Sequence, residues 1–344
     1  VELGVAEKLA IRAISKSAGL PIKKIEDNYR DGGDLGITAS NILKLKTQTT
    51  FTTEKITVER VYETLFKIAK LEGKGSQDLK MKYISSLLND ATPLEAKFVV
   101  KILLGTLRLG VAENTVMDAL AITFTGKKEN KEQIENAYNV SSDLGEVSLI
   151  IATRGIDEIK KFQISLFSPI RPMLADRVKS EKEAIEKMPD VFAAEYKLDG
   201  ERVQIHKQAD KIILFSRRLE NITQYYPDIV DNIGKSLNLN EGIFEAEIVP
   251  VNENTGEFLP FQELMHRRRK HKLEQAVSQY PITVNFFDVL YLDGKNCLDL
   301  PYSERRKILE RSVDENKLAK LVPTLFVKNE NDIQDFLENS INAG

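Results

Sequence analysis

Over about the first 166 residues, hydrophobic positions recur at the spacing of amphipathic helices. The run Val58–Ile68 places apolar residues at i, i+3 and i+7, so they return to one helix face every turn of about 3.6 residues. Thr92–Glu95 has the form of a capping box with proline in the first turn. The helix that it opens carries one apolar stripe, made of Leu94, Phe98 and Ile102. We therefore predict an all-α domain over residues 1–166.

After the proline-rich segment Ser168–Ala175, the hydrophobic pattern alternates instead. Apolar residues at every second position are typical of strands with one buried face. The predicted strands are Phe192–Lys197, Lys211–Arg217, Gly242–Val249 and Ile282–Tyr291, the last closing on the Leu292–Lys295 turn. Glu245 and Glu247 then share one face of an otherwise apolar strand. We predict a second, α+β domain over residues 167–344.

Composition narrows the class of protein. Hydrophobic residues make up 42% of the 344 residues, which is enough for two packed cores. Cys297 is the single cysteine, so no intrachain disulfide forms and a reducing compartment is expected. With three histidines, a structural zinc site is not favoured. No apolar run approaches the roughly 18 residues of a membrane span, and no signal peptide is visible. We expect an intracellular protein that is not secreted.

The net charge of −3 does not exclude nucleic acid, because local clusters of lysine and arginine decide such binding. Met265–Lys272 is a dense basic run that fits either a solvated helix or a nucleic-acid contact. Glycine-bearing turns at Gly32–Gly36, Gly73–Ser76 and Gly105–Gly110 expose helix N-termini that suit phosphate. Each turn alone is better explained as a helix connector. As a set they favour binding to the sugar-phosphate backbone of a duplex.

The Thr-rich segment Lys44–Lys55 contains one aromatic residue, in Gln48–Phe51. This short stretch faintly matches the start of a sliding-clamp-binding peptide, but the usual aromatic pair is absent. A solvated loop is therefore the favoured interpretation, with a clamp contact as the alternative.

The strongest motif is Lys197–Arg202, which fits the spacing Lys-x-Asp-Gly-x-Arg. Asp199-Gly200 between two apolar runs also fits an ordinary type I′ hairpin, with Lys197 as an exposed strand residue. The chemical interpretation is different. A lysine attacks a nucleotide phosphate only as the free amine, and neighbouring cations such as Arg202, Arg217 and a divalent metal favour that form.

Four segments in order resemble successive motifs of the covalent nucleotidyltransferases, and most closely those of ATP-dependent DNA ligases of archaeal and eukaryotic replicative type. They are Glu195–Arg202, Phe215–Arg217, Phe244–Val249 and Phe286–Tyr291. Arg171–Ala175 resembles the segment that leads into the catalytic domain of these ligases, and Arg108–Glu113 resembles part of their helical DNA-binding domain. The resemblance covers essentially the whole chain, in the domain order of the family.

The resemblance implies a role for each matching residue. Lys197 matches the lysine that becomes adenylated, and Glu195 matches the residue that contacts the adenine amino group. The remaining nucleotide contacts implied are Arg202 and Arg217 at ribose and phosphates, Glu247 at ribose and metal, and Phe287 stacked on adenine. The glycine-bearing turns supply the candidate DNA contacts Gly36, Gly75, Arg108 and Gly110. The implied cofactors are ATP and Mg²⁺ or Mn²⁺, and the implied substrate is nicked duplex DNA.

The implied architecture is a DNA-binding domain followed by an adenylation domain with an ATP-grasp-like fold. The family's later motifs and OB-fold domain would then lie outside this chain, and the first helices of the DNA-binding domain would be missing. The expected role is nick sealing in DNA replication, repair and recombination, in the cytoplasm or nucleoid, or in the nucleus of a eukaryote.

Other enzymes share the Lys-x-Asp-Gly core. Messenger-RNA capping enzymes use GTP, RNA ligases carry other flanking domains, and NAD-dependent ligases need a nicotinamide-recognition domain. The helical domain before residue 167 argues against these three. A DNA-binding or clamp-tethering module that has lost catalysis is a further alternative, disfavoured by Lys197, Arg202, Glu247 and Phe287.

Overall fold

The computed structural model describes residues 3–46, 54–71, 73, 75–107, 110–173, 175–188, 191–269 and 277–342. Two compact units are present, residues 1–112 and residues 113–344. The domain assignment of 1–166 and 167–344 stays a prediction. The second compact unit contains the helices after residue 112 together with the strands. Within the described residues, no helix combines the length and apolarity that crossing a bilayer requires.

The first unit is helical. Its described helices are α1 (Glu7–Ala18), α2 (Ile22–Gly32), α3 (Leu35–Lys44), α4 (Val58–Ala69), α5 (Ser76–Asp90) and α6 (Pro93–Leu103). Helix α1 packs on α5 and α3 packs on α6, around a core that includes Ile14, Ile42 and Ile84. The predicted capping box is confirmed, since the side chains of Thr92 and Glu95 each bond the other residue's backbone N–H.

Helix α6 turns the predicted apolar stripe outward. Leu94, Phe98 and Ile102 do share one face, but they are 63%, 37% and 38% exposed. The residues that α6 buries are Ala96, Val99, Val100 and Leu103. The helix carries apolar residues on more than one side, so its pattern alone does not identify the face that meets the core.

The second unit begins with four helices that have a core of their own. They are α7 (Glu113–Thr125), α8 (Lys131–Ser141), α9 (Leu144–Arg154) and α10 (Ile156–Ile159). The segment after α10 returns to α7 and α8 through Arg171. Its Nη2 lies 2.8 Å from Oε2 of Glu113, and its guanidinium lies 4.4 Å from the ring centroid of Tyr138. This contact ties the lead-in segment to the helices before it.

A mixed sheet forms the centre of the second unit. Its strands are β2 (Glu201–Gln208), β3 (Lys211–Ser216), β4 (Glu241–Pro250), β5 (Ile282–Leu292), β6 (Lys295–Asn296) and β7 (Ala319–Leu321). They run in the order β3-β2-β4-β5-β6, and β7 pairs in parallel with the other end of β5. The predicted turn after β5 is confirmed, because Asp293 and Gly294 have φ angles of 43° and 85°, as a type I′ turn requires.

The two faces of this sheet differ in character. One face presents Val203, Ala246 and Phe286 to an apolar core. It is covered by α12 (Pro227–Asn232), α13 (Phe261–Arg269) and α14 (Tyr302–Ser312), which contribute core residues such as Leu309. The other face carries charged and polar side chains at the alternate positions, including Glu245. This polar face is where the predicted site residues of the sheet lie.

A second, two-stranded sheet pairs β1 (Phe192–Glu195) with β8 (Thr324–Val327). It is accompanied by α11 (Glu181–Lys187), which packs on α15 (Glu330–Asn342). The hairpin interpretation of Asp199-Gly200 is therefore wrong: β1 pairs with β8, whereas β2 pairs with β3 and β4. Neither Asp199 nor Gly200 has a positive φ. The strand predicted to reach Lys197 ends at Glu195, so Lys197 lies in a connection between two sheets.

Candidate active site

Lys197 lies in the loop between β1 and β2, and it is exposed. Gly200, near the end of this loop, donates its N–H to the Glu247 carboxylate on β4. A Cβ atom at Gly200 would lie 2.2 Å from the carbonyl oxygen of Ile248, closer than any real side chain comes. Glycine is therefore required here because the loop approaches β4 so closely, and this approach brings Lys197 to the polar face.

Glu247 lies directly opposite Arg202 in the pairing of β2 with β4. Burial raises the pKa of Glu247 to about 7, and the charges of Arg202 and Lys197 act against that rise. The lysine is thus close enough to influence the carboxyl group electrostatically. Arg202 and Lys197 are thus two cations whose charges act on the Glu247 carboxyl group.

Arg202 is held between a carboxylate and an aromatic ring. Its Nε donates to Oε2 of Glu245 at 2.8 Å, and its guanidinium carbon lies 5.3 Å from the ring centroid of Phe287. Glu245 is only 3% exposed; burial raises its pKa, and Arg202 opposes that rise. A carboxylate this deeply buried needs such a partner, so the two residues fix each other.

Phe287 owes its position to an irregularity in β5. Ala246 pairs with Phe286 and Glu245 pairs with Asp288, so Phe287 has no partner on β4. Such a β-bulge re-aims the side chains that follow it. Phe286 consequently faces the core, while both Phe287 and Asp288 lie on the polar side of the sheet.

Arg217 follows directly after β3 and is exposed. It lines a small recess together with Arg202, Glu245 and the lead-in residue Pro172. The structure therefore places Arg202, Arg217, Glu247 and Phe287 at the polar face of one sheet, with Lys197 on the loop next to that face.

A buried polar network joins this face to the residues just before the lead-in segment. Gln204 donates to Oε1 of Glu245 at 2.7 Å and to the carbonyl of Ile170 at 3.0 Å. Its own oxygen accepts from Ile170 N–H at 2.8 Å and lies 2.8 Å from Nε2 of His206. The Phe167 N–H donates to Nδ1 of His206 at 3.0 Å. Burial lowers the pKa of His206 to about 3, so this histidine is a neutral structural group.

Glu195, at the end of β1, has a separate set of partners. Oε1 accepts a short hydrogen bond from the Tyr302 hydroxyl and faces the Thr324 hydroxyl at 3.2 Å. The Arg306 Nη1 atom lies 3.9 Å from the same oxygen. Burial raises the pKa of Glu195, although Tyr302, Arg306 and Thr324 all act to lower it. Glu195 is thus a partly buried acceptor on the lysine-bearing connection.

Sequence reasoning missed several of these supporting residues. Alternation placed Glu245 on the polar face, but nothing in the pattern identified Arg202 as its partner. Tyr302 and Arg306 occupy the i and i+4 positions of one helix, which predicts a common face but not the distant carboxylate that they meet. Asp288 likewise binds Arg305 through two parallel hydrogen bonds of 2.8 and 2.9 Å.

The residues assigned to DNA contact are only partly described. Gly36 is buried in α3, where a Cβ would lie 2.7 Å from the Lys97 carbonyl oxygen on α6. Packing explains this glycine, and its contact with DNA stays a prediction. Gly75 and Gly110 are exposed at positive φ angles of 89° and 70°. Arg108 and the Gln48–Phe51 loop lie outside the described residues.

One member of the basic run in α13 has a structural role. Arg267 is fully buried; its Nη2 forms a short ion pair with Asp228 and its Nη1 donates to the Tyr280 carbonyl at 3.0 Å. A buried arginine with such partners anchors a helix. A nucleic-acid contact of the run therefore cannot come from Arg267.

Sequence comparisons identify the family. The family model described as "ATP dependent DNA ligase domain" matches residues 172–344, and the one described as "DNA ligase N terminus" matches residues 1–121. The chain belongs to the ATP-dependent DNA ligase family. The first of these matches contains every predicted nucleotide-contacting residue of the polar face.

Individual ligases of this family align along the whole chain. It is 70% identical over 344 residues to a DNA ligase of Nitrosopumilus maritimus, covering 100% of this chain and 58% of that protein. It is 45% identical over 352 residues to DNA ligase 2 of Thermofilum pendens, with the same coverage of both. The chain thus spans 58% of the length of these curated relatives.

A solved structure supports the fold independently. The structure named "Pmar-Lig_PreS3" matches with a TM-score of 0.53 at 15% identity, over 86% of this chain and 60% of that one. At this level of identity the likeness concerns the fold alone. It is consistent with a helical N-terminal part followed by an adenylation domain with a β-sheet.

Proposed function

We propose that this chain forms the DNA-binding and adenylation parts of an ATP-dependent DNA ligase that seals nicks through a lysyl-AMP intermediate. The observation that carries the proposal is that Lys197 lies close enough to act on the Glu247 carboxyl group, on a loop that Gly200 holds against β4, where Arg202 lies directly opposite Glu247. A solvated strand lysine would not need a glycine that packs on the neighbouring strand. A nucleophile that must reach a fixed phosphate does need its loop to be held in place.

In the proposed first step, Nζ of Lys197 attacks the α-phosphorus of ATP. A P–N bond forms, the P–O bond to pyrophosphate breaks, and the amine proton passes to solvent. Arg202 and Arg217 line the same recess, and their charges would stabilise the negative charge that develops on the phosphate. The ring of Phe287 provides a flat apolar surface for the adenine.

Two further displacements complete the proposed reaction. The 5′-phosphate at a nick attacks the lysyl-AMP phosphorus, which forms a P–O bond and releases Lys197 as the amine. The 3′-hydroxyl then attacks the adenylated 5′-phosphate, so that a phosphodiester bond forms and AMP leaves. No oxidant or reductant is required.

Glu247 fits the role of metal ligand in this proposal. Its pKa is raised because burial outweighs the cations near it, so an added divalent cation would compensate the carboxylate. The described residues contain no group of three or more Asp, Glu, His or Cys side chains arranged around a metal position. Mg²⁺ commonly uses one or two carboxylates together with substrate phosphates and water. When bound, the ion would neutralise phosphate charge.

The first unit would supply the DNA-binding part. Gly75 and Gly110 form open turns in which a Cβ would meet no atom within 4 Å. Backbone N–H groups in such turns can approach the sugar-phosphate backbone of a duplex closely. Recognition of this kind positions the protein without reading the base sequence.

The adenylation step is tested by incubating the full-length protein with Mg²⁺ and α-labelled ATP. We expect an acid-labile, hydroxylamine-sensitive label on Lys197, absent from the Lys197→Ala variant. Lys211, on β3 of the same sheet, offers a matched control, and Lys211→Ala should be labelled normally. Labelling by GTP or NAD in place of ATP would contradict the proposal.

DNA binding is tested separately by fluorescence anisotropy with nicked duplexes of equal length and different sequence. Affinity should fall steeply with salt and should not depend on base sequence. Strong discrimination between the duplexes would contradict recognition through the backbone.

A further inference from the structure

We propose that Tyr302 makes the site selective for a purine with a 6-amino group, by holding Glu195 so that one carboxylate oxygen faces the base. This inference rests on the proposed function. It concerns a residue on α14 that lies 107 positions after Glu195 in the chain. Tyr302 would be a positioning residue that acts through Glu195.

The contacts of Glu195 are one-sided. Tyr302, Thr324 and Arg306 all face Oε1. Among the described residues, no hydrogen bond or salt bridge to Oε2 is found, and this oxygen is not among the buried unpartnered atoms. The carboxylate is thus fixed through one oxygen and presents the other as an acceptor.

Tyr302 is the dominant holder of Oε1. The Thr324 hydroxyl has a single proton and also lies 3.0 Å from the Val322 carbonyl oxygen, so its donation to Glu195 is shared. Arg306 Nη1 is a buried atom without a hydrogen-bond partner, 3.9 Å from Oε1, and supplies charge rather than a bond. The Tyr302 phenol remains a donor because burial and Glu195 raise its pKa.

The presented oxygen distinguishes purines by their group at position 6. An ionised Oε2 accepts a hydrogen bond from a 6-amino group. A 6-oxo group would bring one acceptor against another and leave a buried charge unpaired, which is costly. Selectivity therefore requires that Glu195 stay both oriented and ionised.

Tyr302 serves both requirements. Burial and the nearby Asp288 raise the pKa of Glu195, whereas Tyr302, Arg306 and Thr324 lower it. Without the phenol hydroxyl the pKa of Glu195 rises further, and a protonated Oε2 becomes a donor that a 6-oxo group accepts. Selectivity in the wild type should thus fall as the pH decreases through the pKa of Glu195. In Tyr302→Phe the same fall should occur at higher pH.

The experiment measures single-turnover labelling of Lys197 in the full-length protein with ATP, inosine triphosphate and purine riboside triphosphate, each across a range of pH. Tyr302→Phe should reduce the preference for ATP over inosine triphosphate by about tenfold, the size expected from losing one hydrogen bond to a charged group. It should also reduce the preference for ATP over purine riboside triphosphate, which lacks the 6-amino group.

Three further variants separate this role from a general structural one. Tyr291→Phe removes a phenol hydroxyl that donates to the Glu241 carboxylate at 2.7 Å, and it should leave the nucleotide preference unchanged. Thr324→Val should shift the pH dependence in the same direction as Tyr302→Phe but less, and Thr324→Ser, which keeps the hydroxyl, should keep the wild-type profile.

Equal losses with all three nucleotides at every pH in Tyr302→Phe would overturn the inference and leave the proposed function standing. The absence of label from wild-type Lys197 with every nucleotide would overturn the proposed function and, with it, the inference.

Discussion

Arg202 and Glu245 are joined by a hydrogen bond of 2.8 Å between Nε and Oε2, across the ladder of β2 and β4. The other oxygen of Glu245 accepts from Gln204 at 2.7 Å. The carboxylate therefore connects Arg202 to the buried network that reaches Ile170.

Glu245→Gln should release Arg202 while keeping the size of the side chain. Loss of a hydrogen bond between charged groups costs about 1.5–3 kcal/mol, which corresponds to labelling of Lys197 that is about tenfold to a hundredfold slower. Single-turnover labelling measures the effect. Glu241→Gln is the matched control, because Glu241 accepts from Gln208 at 3.1 Å on the same two strands but is less deeply buried than Glu245. Equal effects of both substitutions would contradict a specific role for Glu245.

Gly200→Ala should displace the lysine-bearing loop. The added Cβ would meet the Ile248 carbonyl oxygen at 2.2 Å, and overpacking of this kind costs about 1–3 kcal/mol. We expect a lower melting temperature and at least about tenfold slower labelling of Lys197. Gly32→Ala is the control, since a Cβ there has no neighbour within 4 Å. A fully active, fully stable Gly200→Ala variant would rule out the steric account.

Glu247 should make stability depend on pH in a predictable direction. Its pKa of about 7 in the folded protein exceeds the ordinary value of 4.5, so the folded state binds more protons between these values. Stability contributed at Glu247 is therefore greatest below about pH 4.5 and decreases as the pH rises to about 7. Glu247→Gln should be more stable than wild type by up to about 3 kcal/mol at pH 8, with little difference at pH 4. Thermal melts of both proteins without nucleotide or metal test this, and a constant difference across pH would contradict it.

Arg305→Lys should destabilise the second unit although it keeps the charge. Arg305 binds Asp288 through two hydrogen bonds of 2.8 and 2.9 Å, and a lysine ammonium does not reproduce this planar fork. The expected loss is about 1–3 kcal/mol of unfolding free energy, measured by denaturant unfolding. Arg311→Lys on the same helix changes an exposed arginine and should have no effect. A similar loss in both variants would mean that the fork does not matter.

The sequence determined the local features of this protein. Helical spacing, the capping box at Thr92–Glu95 and alternation in β4 depend on neighbouring residues, and each is found where predicted. The motif at Lys197 predicted the candidate nucleophile because the chemistry of the residues and their spacing are both local. The face shared by Glu245 and Glu247 follows from alternation alone.

Only the tertiary structure decided which distant residues complete the site. Pairing of β1 with β8, which removes the hairpin interpretation, depends on hydrogen bonds between segments far apart in the chain. The bulge that positions Phe287 arises from the register of β5 against β4, and the outward turn of Leu94 depends on what α6 packs against. Tyr302 reaches Glu195 only because α14 packs beside β5. Local sequence patterns do not predict such long-range contacts, because the energy that selects these contacts comes from packing and strand pairing between distant elements.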